Sequence, residues 1–406
     1  MARTAATLSK GSRIADLISL SVIAKTFPID KVHAALAATG KASIRERNLP
    51  AHVVVYYVIA LSLYMSVSCR EVLRCLLEGV RWLVDPATPI RVTGKSGISQ
   101  ARTRLGAEVM RRLYDDVVGP VATPATKGAW YKHWRLVSLD GSTLDVADDP
   151  AIEAAFGRPG AGRGASAFPQ IRFVGLVENG THVLFAAKMA GCTTSEIALA
   201  KEVVPALRQG MLGLADRNFF GYEMWNLARA NGADLLWRIK KNMRLISEER
   251  SPDGSYLSTI YPSDKDRRHK TGGIKVRVID YYLDGVADAE PIYRLVTTIL
   301  DHEKAPAHEM AALYHERWEI ETALDELKTH LRGADLVLRS KTPDLVRQEF
   351  FGLMMAHFAI RGIMHEAALK ADRDPDRLSF LHAVRVIRRK LPLFLALPPS
   401  QAPCPA

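Results

Sequence analysis

The sequence predicts an α/β protein: a mixed sheet preceded by an all-helical region, interrupted by a β-rich insertion and followed by a second helical region. Three observations predict it. Apolar residues recur at helical spacing through the first 120 residues. From Trp134 the pattern changes to short apolar runs punctuated by Gly, Asn and Asp, and two of those runs lead directly into an aspartate.

Taken in order, an amphipathic run covers Ile14 to Lys25, a second covers Pro28 to Ala38, and an apolar run covers Ala51 to Ser68. The last is 18 residues without a charge, the lower edge of a membrane span. It is isolated, follows Pro50 and carries His52, three tyrosines and three serines, so a buried helix is expected instead. Helix continues from Arg70 to Val84, and a basic helix from Lys95 to Tyr114 follows the Thr93-Gly94 turn signal. Strands are expected at Arg135 to Val146, Ile171 to Val177 and His182 to Met189, the last two forming a hairpin around Asn179-Gly180. A helix at Thr194 to Arg208, a strand at Met211 to Ala215, a helix at Tyr222 to Ala230 and a strand at Asp234 to Ile239 complete the order. Three strands, then helix, strand, helix, strand is the first part of a ribonuclease H-like fold. Alternating segments at Ile274 to Tyr282 and Ile292 to Leu300 make the next stretch a β-rich insertion, and Val346 to Leu391 is helical.

The formal charge of +11 and pI near 9.5 favour a polyanionic partner, nucleic acid before membrane. The excess is concentrated. Residues 91 to 112 hold six Lys/Arg against Glu108, and residues 238 to 277 hold eleven against five acids. In the first stretch, Ser99, Gln100, Arg102 and Arg104 on a short helix after a turn suggest a helix-turn-helix-like DNA contact. The four cysteines, Cys69, Cys75, Cys192 and Cys404, lack metal-ligand spacing and form no disulfide framework, which fits a reducing cytoplasm. Met1 to Leu20 lacks the apolar core of a signal peptide.

The chemistry-bearing pattern is Tyr314, Arg317, Glu321 and Lys328, spaced Tyr-x2-Arg-x3-Glu-x6-Lys. At about 100° per residue, with Tyr314 at 0°, the others fall at about −60°, −20° and −40°. Leu313, Ile320, Leu324, Leu327 and Leu331 take the adjacent, buried arc. The polar stripe thus borders the core. Asp140, before Gly141, and Asp216, before Arg217, each close an apolar strand. Each alone also reads as a turn dipeptide or a helix cap. Together with Glu321 they are what phosphodiester chemistry requires, because two divalent ions about 3.5–4 Å apart, held by convergent carboxylates, activate an oxygen nucleophile and stabilise the leaving 3′-oxygen. The Gly157 to Gly164 run lacks the strand-loop-helix context of a phosphate loop and reads as a connection.

These motifs resemble those of the IS4-type family of bacterial insertion-sequence transposases, from about Ile14 to Leu391. The features that carry the resemblance are Asp140-Gly141-Ser142, Leu214-Ala215-Asp216-Arg217, the Tyr-Arg-Glu-Lys helix and the Ile98-Ser99-Gln100-Ala101-Arg102 phrase. The resemblance implies a helical DNA-binding domain at 1–125, a ribonuclease H-like catalytic domain at 126–240 and 300–345, a β-rich insertion at 241–299, and a helical region and tail at 346–406. It implies that Asp140, Asp216 and Glu321 hold Mg²⁺, with Mn²⁺ as the substitute, and that Tyr314, Arg317 and Lys328 contact DNA backbone. It further implies terminal inverted repeats and target DNA as substrates, hairpin ends, a synaptic homodimer, no membrane, and a place in the bacterial cytoplasm at the nucleoid. Tyr293 is a candidate platform for an unstacked base, with a packing residue as the other reading, and Trp318 is a packing residue. Two alternatives stay open: a metal-dependent nuclease of the same superfold, and an end-binding protein whose catalysis has decayed, to which the Pro/Ala-rich tail from Leu395 draws attention.

Overall fold

The computed structural model describes residues 22–43, 49–84, 93–161, 164–240, 243–283, 290–333 and 336–389. The first turns of the Ile14 run, the signal-peptide reading of Met1 to Leu20, the end of the C-terminal helical stretch, the tail from Leu395, Cys404 and part of the Gly157 to Gly164 run lie outside them. The chain divides into two compact units, one made of residues 119–325 and 368–377, the other of 1–118, 326–367 and 378–406.

The first unit is built on one mixed sheet. Its strands are β1 (Trp130–Tyr131), β2 (Trp134–Asp145), β5 (Gln170–Glu178), β6 (Val183–Gly191), β7 (Met211–Ala215), β8 (Asp234–Arg238), β9 (Glu249–Arg250), β10 (Tyr256–Ile260), β11 (Ile274–Tyr281) and β12 (Tyr293–Thr297). A separate ribbon pairs β3 (Gly160–Ala161) with β4 (Gly164–Ala165). The sheet order is β6-β5-β2-β7-β8-β12-β11-β10-β9, with β1 paired to β2. β6, β5 and β2 are antiparallel, whereas β7 and β8 run parallel to β2. This is the ribonuclease H-like arrangement expected from the element order. The basic insertion does not stand apart from it, since β12 pairs with β8 and β11, β10 and β9 extend the same sheet by antiparallel pairing.

The central strands are continuous apolar runs, as strands covered on both faces should be. Leu136, Leu212, Leu214, Leu236 and Leu295 share a core with Met310 and Tyr314 from the helix Ala307–Tyr314. Part of the basic charge of this unit is already paired, one residue of it in the core and the rest at the surface. Arg277 is fully buried and donates to the carbonyls of Ile299, Asp301 and Ala305, while Lys275 pairs with Glu248 and Arg267 with Asp264. The residue count of the basic stretch therefore overstates the charge on offer to a polyanion.

The second unit is helical. It contains α1 (Ile29–Ala38), α2 (Ala51–Leu63), α3 (Cys69–Val84), α4 (Lys95–Leu105), α5 (Ala107–Val117), most of a long helix Pro343–Lys370, and Phe380–Arg389. Eleven residues of α2 are buried, so the uncharged run is a core helix, and among the described residues no helix is long and apolar enough to cross a membrane. The expected basic helix from Lys95 to Tyr114 is two helices. Gly106 separates them at φ 74, a left-handed conformation that stops α4 and that glycine adopts without a Cβ penalty.

Candidate active site

β2 and β7 lie side by side in parallel, with Leu139 opposite Ala215 as the last pair. Asp216 follows directly, where β7 ends. Asp140 was expected to end its strand as well, but β2 continues to Asp145 in antiparallel pairing with β5, where Asp140 faces Gly175. What ends at Asp140 is the neighbour. The two aspartates therefore emerge at the same level, at the carboxyl end of the parallel pair, where β7 no longer covers β2.

Their local hydrogen bonds are those of turns. Asp140 Oδ1 accepts from the Gly141 amide at 2.8 Å, and Asp216 Oδ1 accepts from the Asn218 amide at 2.8 Å. The remaining carboxylate oxygen of Asp140 meets Arg317, whose Nη1 lies 3.5 Å away, while Arg317 Nη2 lies 3.2 Å from Glu321 Oε1. One guanidinium bridges a strand acid and the helix acid, and its charge is also felt from Asp216. Burial pushes the Asp140 carboxyl up to about 6, with Asp216 and Glu196 pushing the same way against the Gly141 amide and Arg317. Arg317 itself is buried, which works against its charge, yet Tyr314 and the surrounding carboxylates hold its proton more firmly than usual. The cluster is short of positive charge and rich in hard oxygen donors. That donor set fits divalent cations of the magnesium type.

The helix carrying Glu321 is not one helix of constant pitch. Ala307–Tyr314 is α-helical, His315–Trp318 is a 3₁₀ turn, Glu319–Asp325 is α-helical, and Glu326–Gly333 is π-helical. The angles of a uniform wheel do not apply. In a 3₁₀ turn residues three apart eclipse, so Arg317 falls on the same side as Tyr314, and the α-turn that follows brings Glu321 within 3.2 Å of Arg317. Tyr314 is 7% exposed, and its hydroxyl donates to the Ala215 carbonyl at 3.4 Å. The expected DNA contact at Tyr314 is thereby corrected: the phenol is spent inside the core, bracing the residue before Asp216. Lys328 is half-buried in the π-helical segment and belongs to the helical unit.

Two further expectations change. Arg102 is buried, and its guanidinium donates to Gln348 Oε1 at 3.3 Å, Ser340 Oγ at 3.0 Å and the Leu345 carbonyl at 3.0 Å. It ties α4 to the long helix and is not presented to phosphate; Arg104, one turn position on, is exposed. Trp318, expected to pack, is 57% exposed, with the Arg317 guanidinium 5.2 Å from its ring. Tyr293 stacks on Tyr281 at 5.3 Å, beneath the guanidinium of Arg238. Arg238 and Arg217, the residue after Asp216, both pair with Glu290.

The start of the glutamate helix is pinned by groups the sequence did not single out. Ser138 on β2 donates to Asn179 in the hairpin turn, and Asn179 donates to the Glu316 carbonyl at 2.8 Å. The Gly180 amide donates to Glu319, beside which His182 pairs with Asp376 at 2.8 Å. Among the described residues, His182, Glu319 and Asp376 bring three ligand atoms within 4.8 Å of one another, and Asp140, Asp216 and Glu321 do not. Burial, then Asp376 and Glu316, raise the Glu319 carboxyl far above its usual range.

A ribonuclease H-like sheet with one aspartate just past the end of a parallel strand, a second level with it on the neighbouring strand, and a glutamate on a covering helix is the arrangement of a DDE-type nucleic-acid strand-transfer enzyme. The family model "Insertion element 4 transposase N-terminal" matches residues 17–115, and "Transposase DDE domain" matches residues 134–359. The chain belongs to the IS4-type DDE transposase family and is an enzyme acting on DNA. It is 28% identical over 380 residues to the transposase InsG for insertion sequence element IS4 of Escherichia coli (strain K12), covering 91% of this chain and 82% of that protein. It is 22% identical over 232 residues to the putative transposase InsZ of the same organism, covering 57% of this chain and 74% of that protein. A piggyBac transposase synaptic complex with hairpin DNA, solved by cryo-EM, gives a TM-score of 0.47 at 12% identity, over 93% of this chain and 80% of that one.

Proposed function

We propose that this transposase moves its element by cut-and-paste, with Asp140, Asp216 and Glu321 as the ligands of two Mg²⁺ ions that, when bound, activate the attacking oxygen and stabilise the leaving one. The observation that carries this reading is the guanidinium of Arg317 spanning Asp140 and Glu321 at the open end of the β2/β7 pair. Arg317 is fixed by the 3₁₀ turn and by burial, so it holds the two acids in register before substrate arrives. A single strand-end carboxylate cluster supports a sequence of steps: nick one strand, let the freed 3′-hydroxyl attack the opposite strand to form a hairpin, reopen it, and join the end to target. Arg317, Lys328 and exposed Arg104 contact the DNA backbone, and Tyr293 with its Tyr281 partner offers a surface for an unstacked base. The substrates are terminal inverted repeats and target DNA, the working complex is a homodimer bridging two ends, and the setting is the bacterial nucleoid.

The test is incubation of purified protein with end-bearing DNA and Mg²⁺. Hairpin and joined products are expected. Simple breaks alone would make it a nuclease of the same fold, and end binding with no product in Mg²⁺ or Mn²⁺ would make it a catalytically dead binding protein.

A further inference from the structure

Two buried polar side chains join the strand of Asp140 to the helix of Glu321. Ser138 precedes Asp140 by two residues on β2, so their side chains share a face of the sheet, and Glu319–Asp325 packs against that strand. Ser138 and Asn179 are fully buried, a costly place for polar groups unless they are bonded. Both are. Ser138 Oγ donates to Asn179 Oδ1 at 2.9 Å, and Asn179 Nδ2 donates to the Glu316 carbonyl at 2.8 Å. The last member fixes the direction of the chain: a carbonyl only accepts, so the Asn179 amide turns its NH₂ to Glu316 and its oxygen to the Ser138 hydroxyl. Asn179 is tied to β2 a second time, its backbone amide donating to the Leu136 carbonyl at 3.1 Å.

The turn that carries Asn179 has little freedom of its own. Gly180 stands at φ 76, and a Cβ there would lie 2.6 Å from the Ala129 nitrogen, so the turn is seated against backbone. With the Gly180 amide donating to the Glu319 carboxylate, two adjacent residues hold the helix start on either side of Arg317. The carbonyl that Asn179 meets belongs to the 3₁₀ turn His315–Trp318, where it also accepts from the Glu319 amide. A return of that turn to α pitch would swing Glu321 relative to Tyr314 by about 20° for each residue converted. Apolar packing is non-directional and permits such a slide, whereas a hydrogen bond weakens steeply off its axis. The Arg317 contacts to Asp140 and Glu321, at 3.5 and 3.2 Å, would open with it.

We infer that Ser138 and Asn179 form a positioning relay for strand cleavage and transfer: through the Glu316 carbonyl they set the bearing of Arg317 and Glu321 on Asp140, without either residue reaching the reacting atoms. The inference rests on the reading of Asp140, Asp216 and Glu321 as metal ligands. Its test is Mg²⁺-dependent cleavage of end-bearing DNA by the full-length protein, comparing wild type, Asn179→Asp, Ser138→Ala and Glu321→Gln. For each, kcat is separated from KM for DNA, and thermal melting reports folding. Asn179→Asp keeps the shape and the acceptor for Ser138; when ionised it has no donor for the Glu316 carbonyl, and when protonated it regains one. Expected at about pH 8.5 is a kcat about 10²-fold below wild type with KM within about twofold, and a loss of about tenfold in Ser138→Ala. The ratio of Asn179→Asp to wild type should climb as pH falls to about 6, because burial raises a carboxyl into that range. A ratio that ignores pH makes the loss one of packing and overturns the role, as does wild-type kcat in folded Asn179→Asp. Should that variant fail to fold, Ser138→Ala decides: wild-type kcat there removes the relay. If either result appears while Glu321→Gln is dead, the inference falls alone; if Glu321→Gln cleaves as wild type does, the ligand reading falls and takes the relay with it.

Discussion

Buried charge appears in both units of this protein, and the two are treated in opposite ways. In the helical unit Glu326 receives Arg361 through two nitrogens, one at 2.8 Å, and lies 3.4 Å from His357; Glu349 accepts from the Ser340 amide and hydroxyl and from the Arg339 amide. Arg102 finds three neutral acceptors. Glu326, Glu349 and Arg102 are each met by two or more close donors or acceptors. At the carboxyl end of the β2/β7 pair, one guanidinium is stretched between two acids at 3.2 and 3.5 Å, with a third acid in its field. The difference teaches what separates structural from functional burial: a closely paired network fixes a fold, whereas an undercompensated one keeps electrostatic free energy available for a ligand.

The sharpest way to break the comparison is Glu321→Gln. Cleavage of end-bearing DNA should fall by about 10³-fold or more, while specific end binding stays within about twofold; equal cleavage by the variant would remove Glu321 from the chemistry. Arg317→Lys comes next, since one ammonium cannot span both acids as a planar fork does. A loss of about 10²-fold in cleavage is expected, with wild-type rates showing that the bridge is dispensable. Arg102→Met should act on the other side, costing the helical unit about 2–4 kcal/mol in denaturant unfolding. The salt dependence of its end binding should not change, and a shallower slope would return Arg102 to the DNA interface.

Asp140→Asn sharpens the contrast through pH. The folded carboxyl stands at about 6 and the ordinary value is 3.8. A raised folded value means that the native state binds the proton more tightly, so stability is gained as pH falls from about 6 towards 4 and is absent at neutral pH. Removing the carboxylate should therefore stabilise the metal-free protein by about 1–3 kcal/mol at pH 7, while abolishing cleavage. The gain should vanish below about pH 4; a variant that is no more stable than wild type in EDTA at pH 7 would show that Asp140 is not strained. The smallest effect is expected of Lys328→Ala, a several-fold weakening of DNA positioning with Mn²⁺ affinity retained, and the reverse pattern would contradict its role.

The sheet was legible in the sequence because its strands are short, apolar and bounded by turn residues; Met211–Ala215 falls where the pattern put it, and the other central strands differ by a residue or two. The buried fate of the uncharged Ala51 run was legible for a similar reason, its tyrosines and serines being poor membrane residues. What could not be read was pitch and partnership. A wheel assumes one pitch, so its angles do not hold past the 3₁₀ turn at His315–Trp318, and it could not show that Tyr314 joins Met310 in the sheet core. Arg102 looked like a DNA contact because its acceptors, Ser340, Leu345 and Gln348, lie far along the chain. Asn179 announced its turn through Asn-Gly, but nothing local announced that its amide would hold the Glu316 carbonyl. Trp318 was assigned to packing on its size alone.

The changing pitch of the glutamate helix has a genetic corollary. Between Tyr314 and Gly333 the backbone passes from α to 3₁₀, to α, to π, so the count of residues between motif positions works as a ruler cut for those particular turns. Loss or gain of a single codon in this stretch would rotate every later side chain to a different bearing, and drift within the family should show substitutions here but scarcely any length change.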